Sequence, residues 1–193
     1  MQSIRDRREA VFINNDDRTE TWTSHALEIW QFISILLLSL VTGVFWGSWL
    51  GLSRSMTSLS KETFVEVAHA MIGNLGTVMA VLMPAAMLTA VPVLYLLYRR
   101  RSKTFYPTAA GFALFVVALL ITLAVEVPLD MQFQRWTATT LPSNWEALRA
   151  NWEWWHAIRS WASVAGLALM LAGALLGIGT QVERRRLRRV WTQ

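Results

Sequence analysis

Four apolar blocks decide what this chain can fold into. Ile33 to Leu50, Val67 to Tyr98, Ala109 to Val125 and Ala162 to Ile178 are apolar or small with almost no charge. A helix needs roughly 20 apolar residues to cross the hydrocarbon core of a bilayer, and three of these blocks reach or approach that length. Lipid offers no water to backbone N–H and C=O groups, so such spans satisfy them internally as helices. The expected fold is therefore all-α, a transmembrane four-helix bundle. The balance of 54% hydrophobic and 16% charged residues agrees, since soluble domains carry about 25% charged. The spans are expected at about 26–50, 64–98, 106–127 and 157–180, inside a membrane domain of 26–182 whose connection 128–156 holds a loop and a helix. A polar arm, 1–25, precedes this domain and a basic tail, 183–193, follows it.

Charge placement sets the expected orientation. Arg5, Arg7, Arg8 and Arg18 lie in the arm, Arg99, Arg100, Arg101 and Lys103 in the turn between spans two and three, and Arg184, Arg185, Arg186, Arg188 and Arg189 in the tail. Of the 18 basic residues, only Arg54, Lys61, Arg135, Arg149 and Arg159 remain for the other side. Lys and Arg concentrate in cytoplasmic loops, so both termini and the middle turn are expected in the cytoplasm. The two other connections then face outward, across what the short tails and loops suggest is a bacterial inner membrane. The basic clusters set topology and contact anionic lipid. They lack the interleaved aromatics or motif of a nucleic-acid surface, so no nucleic-acid partner is expected. The first 25 residues are charged and lack the apolar core of a cleaved signal peptide, so the first span is expected to do the targeting. With no cysteine, thiolate metal sites and disulfides are excluded.

Local signals refine the helices. Gly43, Gly47 and Gly51 recur at four-residue spacing in span one, a pattern that lets a neighbouring backbone approach, and Trp46 and Trp49 suit the outer interface. His25 reads as an interfacial polar residue at the start of that span. Ser60, or Thr63 with Glu66, can cap the second helix, and Ser143 with Glu146 a helix before span four. Pro84 and Pro92 predict kinks in span two; Pro128 ends or bends span three. From Trp145 the residues Trp145, Arg149, Trp152, His156, Arg159 and Ser163 fall at spacings of four and three, one face of a helix. That helix is expected to run through span four to about Arg189, beyond the membrane.

Ionisable groups gather at one depth. Glu66 and His69 lie at the outer end of span two, Glu126 and Asp130 at that of span three, and Glu153, His156 and Arg159 at that of span four. Ionisable side chains within spans face the bundle interior and mark function. Glu66-x-x-His69 and Glu153-x-x-His156 each put a carboxylate and an imidazole on one helix face, as di-metal carboxylate bundles do. With Glu126 bridging, the set Glu66, His69, Glu126, Glu153 and His156 suits iron, manganese or copper, although span one adds no acidic ligand. A second reading makes the same groups structural: Arg149 pairs with Glu153, Glu126 or Asp130 with Arg159, and the histidines donate to backbone or carboxylate. A third needs only a polar cavity and no cofactor. His156 serves as acid or base, Arg159 holds an oxyanion, and Glu126 and Glu153 orient them. The candidate substrate-binding residues are Trp152, Trp155, Trp136 and Arg149. The ligand is then a flat, hydrophobic small molecule taken from membrane lipid.

Several of these stretches resemble the anthrone-oxygenase-like family of small four-span membrane proteins. They are Val125-Glu-Val-Pro-Leu-Asp130, Arg135-Trp136, Trp145-Glu-Ala-Leu-Arg149 and Trp152-Glu-x-Trp-His156-x-x-Arg159. Gly43-Val-Phe-Trp-Gly47 and Ala70-Met-Ile-x-Asn74 extend the likeness over most of residues 30–180. The resemblance implies an oxygenase-like enzyme, since some members oxidise an anthrone to an anthraquinone without a bound cofactor. A non-enzymatic membrane protein that docks a partner or lipid is the alternative from another class, and nothing in the residues specifies an oligomeric state.

Overall fold

A computed structural model describes the backbone of residues 2–51 and 53–191 and the side chains of 22–51 and 53–180. Helix α1 spans Gln2–Gly51, α2 Lys61–Arg99, α3 Phe105–Ile121, α4 Val127–Phe133 and α5 Trp145–Trp191. A 3-10 turn, Ser53–Ser58, joins α1 to α2, and a π turn, Thr122–Glu126, joins α3 to α4. Among the described residues there is no strand, and four helical stretches are long and apolar enough to cross a membrane: Trp22–Ser58, Lys61–Arg99, Phe105–Phe133 and Trp145–Thr180. The backbone of α1 begins within the polar arm and that of α5 continues into the basic tail; the side chains of 2–21 and 181–191 lie outside the described residues.

Short connections make successive helices antiparallel. Arg100 donates to Thr23 at one end of the α1/α2 pair; His69 meets the Phe133 carbonyl at the opposite end, between α2 and α4. Apolar faces fill the middle, where Leu38, Val41, Phe45, Met83, Ala86, Ala90, Phe115, Ala118 and Met170 form one core. At the end bearing the 53–60 connection, Met56, Phe64, Phe133, Trp136, Trp145 and Trp152 form a second, largely aromatic core. Ser60 caps α2, its hydroxyl accepting from the Thr63 N–H at 3.3 Å. Helix α2 then runs unbroken through Pro84 and Pro92.

The close helix approach is not where the first-span glycines predict it. A Cβ added at Gly43, Gly47 or Gly51 would meet nothing within 4 Å. At Gly111 it would stand 2.5 Å from the Gly166 carbonyl oxygen, and at Gly173 2.5 Å from the Thr108 hydroxyl. The tight seam is therefore α3 against α5. Four-residue spacing creates a flat stripe on a helix but cannot say which partner it meets.

Pro128 neither ends the third span nor leaves its helix regular. It has no N–H, and in α geometry its ring would press on the carbonyl of Ala124. The chain widens instead: the Val127 N–H bonds to the Thr122 carbonyl, five residues back. Buried positions step from Ile121 to Glu126 across this turn, a stride of five where an α-helix takes three or four. The extra residue turns Glu126 into the bundle. π turns of this kind recur at functional sites.

Candidate functional site

The face predicted on α5 is the inward face. Trp145, Trp152, His156, Arg159 and Ser163 are buried along it, and Arg149 is nearly so. Opposite this face the π turn delivers Glu126, which is fully buried. Arg159 lies between the two other ionisable groups. Its Nη2 is 3.0 Å from Glu126 Oε2 and 2.6 Å from His156 Nδ1, and its Nη1 donates to Thr122 Oγ1 at 3.1 Å. The guanidinium also sits 4.6 Å from the centre of the Phe45 ring on α1. His156 Nε2 is 2.9 Å from Ser48 Oγ, and the Ser48 hydroxyl reaches the Val44 carbonyl at 2.7 Å.

These contacts fix the protons. Arg159 keeps its charge and offers only donors, so His156 Nδ1 must present its lone pair. The imidazole is then neutral with its proton on Nε2, which donates to Ser48, which donates onward to Val44. Glu126 Oε2 and His156 Nδ1, 3.4 Å apart, share one cation between them. In the low dielectric of a bundle interior such a pair is held by geometry and hydrogen bonds; removing one partner leaves a buried charge that costs several kcal/mol.

Neighbouring side chains hold these groups in place. Trp152 lies over His156 with ring centres 5.0 Å apart and donates its indole N–H to Asp130 Oδ1 at 2.9 Å. Ser160 bonds to the carbonyls of His156 and Phe45, tying α5 to α1 beside the cluster. Trp136 packs on Phe133, which in turn contacts Phe64 and Trp152. Trp155 is half-buried. The apolar cavity beside Trp152, lined by Phe64, Ala68, Met71, Ile72 and Phe133, holds about 10 Å3, which is room for one water at most. That cavity has no room for an aromatic ligand beside Trp152.

The five-residue metal set does not assemble. Phe64 and Ala68 take the inward face of α2, which turns Glu66 out to solvent or headgroups. His69 bonds to the Phe133 carbonyl at 3.0 Å. Glu153 pairs with Arg149 at 3.6 Å, and Arg149 reaches the Met56 carbonyl and lies 5.0 Å from the Trp145 ring centre. Only Glu126 and His156 meet, with the Arg159 cation between them. No group of three or more potential ligands gathers among the described residues. Three-residue spacing on one helix does not decide which way each side chain turns, because that depends on the bundle around it.

Ser48, Thr122 and Phe45 belong to the cluster and were not singled out by sequence reasoning. Span one has no acid at its outer end but supplies a hydroxyl and a ring there instead. The available signal was weak: a serine and a threonine inside apolar runs, at the depth of the ionisable groups.

Comparison with curated proteins and with solved structures returned no match. The anthrone oxygenase family model matches residues 74–169. That segment runs from the middle of α2 into α5 and contains Glu126, Asp130, Trp152, His156 and Arg159, while Ser48, Glu66 and His69 lie before it. The chain is thus similar to the anthrone oxygenase family over residues 74–169, the segment that carries Glu126, His156 and Arg159.

Proposed function

We propose that this protein is an integral membrane oxygenase acting on a hydrophobic aromatic small molecule at the Glu126–Arg159–His156 cluster. The observation that carries the reading is a buried charged network, joined from α1, the π turn and α5, inside helices that are otherwise apolar. Such groups are expensive in a membrane and are kept where they act. The chemistry that suits them converts an activated methylene and dioxygen into a ketone and water. Removal of a proton gives a carbanion beside Arg159; dioxygen adds to it, and the protonated hydroperoxide loses water. Membranes or nanodiscs containing the protein should consume oxygen and form anthraquinone when given an anthrone. Folded His156→Ala protein with undiminished turnover would refute the reading.

The small cavity beside Trp152 favours one other reading, a non-enzymatic protein whose exposed rim, including Trp154 and Trp161, docks lipid or a partner. Unchanged oxygen uptake with every cluster variant would support it. For orientation, the site end faces outward and the Arg99–Lys103 turn the cytoplasm of a bacterial inner membrane, as the charge bias argues. The chain lacks cysteine, so single Ser55→Cys and Lys103→Cys variants test this directly. An impermeant thiol reagent applied to intact cells should label the first and spare the second.

A further inference from the structure

Two polar atoms of the cluster have no hydrogen-bond partner among the described residues: Glu126 Oε1 and Arg159 Nε. One is a carboxylate oxygen, the other an N–H donor. Both belong to side chains at least nine-tenths buried, Glu126 at 0% and Arg159 at 9% exposure. Buried groups of this kind are normally satisfied, and those that are not call for an explanation. Their partners within the cluster are already committed: Oε2 to Arg159 Nη2, and Nη1 to Thr122.

The histidine presents the opposite picture. Nδ1 is taken up by Arg159 and Nε2 by Ser48. Neither nitrogen has a lone pair free for an incoming proton. A general base must come within hydrogen-bond reach of the proton it removes, and of the three joined groups Glu126, His156 and Arg159 it is the Glu126 carboxylate that has an acceptor without a partner. Its position follows from the π turn before Pro128, which turns residue 126 inward.

We infer that Glu126 Oε1 is the proton acceptor of this site and that Arg159 Nε–H receives the oxygen of the resulting anion, with His156 and Ser48 positioning the guanidinium. This assignment rests on the oxygenase reading above. The substrate C–H bond breaks and its proton goes to Oε1, giving a neutral carboxylic acid. The electron pair stays on the substrate as an enolate whose oxygen faces Arg159. Dioxygen is the oxidant in the step that follows. The charge moves from one neighbour of Arg159 to another, so the cluster keeps its net charge throughout.

The proton step is separable from oxidation. Anthrone in deuterated buffer under nitrogen, followed by proton NMR, reports methylene exchange with no dioxygen present. Wild-type protein should accelerate exchange over the protein-free rate, and Glu126→Gln should lose about 100-fold or more of that acceleration, as expected for removal of a general base. His156→Gln should also lose acceleration, but less of it than Glu126→Gln, because it removes a positioning residue rather than the acceptor. Full exchange by Glu126→Gln, or its loss in His156→Gln alone, would overturn the assignment. Should Glu126→Gln not fold, Glu126→Asp keeps the charge, withdraws the oxygens and should slow exchange by about tenfold or more. If wild-type protein neither exchanges nor oxidises anthrone, the oxygenase reading fails for this probe. Infrared spectra of the substrate-free protein then still decide the role of Glu126. Carbon-13 labelling of glutamate carboxyls, with and without Glu126→Gln, shows whether residue 126 contributes an ionised carboxylate band, which the assignment requires, or a protonated one, which sinks it.

Discussion

Removing the Arg159 charge tests whether the cluster is held as the geometry implies. At 3.0 Å and an effective dielectric of about 20, the attraction between Arg159 and Glu126 amounts to about 5 kcal/mol before desolvation. Desolvation of both ions offsets much of that, so the pair adds little over two apolar residues of similar size. The asymmetry is what can be measured. Arg159→Met strands the Glu126 carboxylate in a fully buried position and should destabilise the fold by about 3–5 kcal/mol. Glu126→Leu strands the guanidinium and should cost a similar amount. The double variant removes both charges and should recover most of the loss, leaving a coupling energy of at least about 2 kcal/mol between the sites. The assay is reversible unfolding in mixed micelles, read by tryptophan fluorescence: Trp152 lies on His156, inside the cluster. Strictly additive losses would show that the two side chains do not share one buried environment, and the description of the site would be wrong.

Other variants separate neighbouring claims. Gly111→Ala puts a methyl 2.5 Å from the Gly166 carbonyl and 2.7 Å from Met170 Cγ; with backbone on one side unable to yield, it should cost about 1–3 kcal/mol, while Gly43→Ala, with nothing within 4 Å, should be nearly neutral. Equal thermal shifts for the two would contradict the α3/α5 seam. Ser48→Ala removes the acceptor of the His156 Nε2 proton and should cost about 1–3 kcal/mol, with a changed imidazole nitrogen-15 NMR signature; an unaltered spectrum would refute the tautomer.

Much of the fold follows from the chain alone. Four apolar blocks must be helices because lipid supplies no partners for bare backbone, and the 3.6-residue period places Trp152, His156 and Arg159 on one face whatever they meet. The Ser60 cap is equally local, a hydroxyl three residues before a backbone N–H. What the chain could not settle is which faces converge. Glu66 and Glu153 carry the same spacing to a histidine as any ligand pair, yet Glu66 turns outward because Phe64 and Ala68 claim the interior, and Glu153 turns to Arg149. Glu126 reaches the centre through a widened turn that Pro128 demands, which shifts the inward position by one residue. The glycine stripe on the first span is open, while Gly111 and Gly166 meet across helices 55 residues apart in sequence. Sequence thus fixes what each helix can present, because those properties depend on neighbours along one axis. Only the tertiary structure decides which presentations meet, because burial of all four faces has to be satisfied at once.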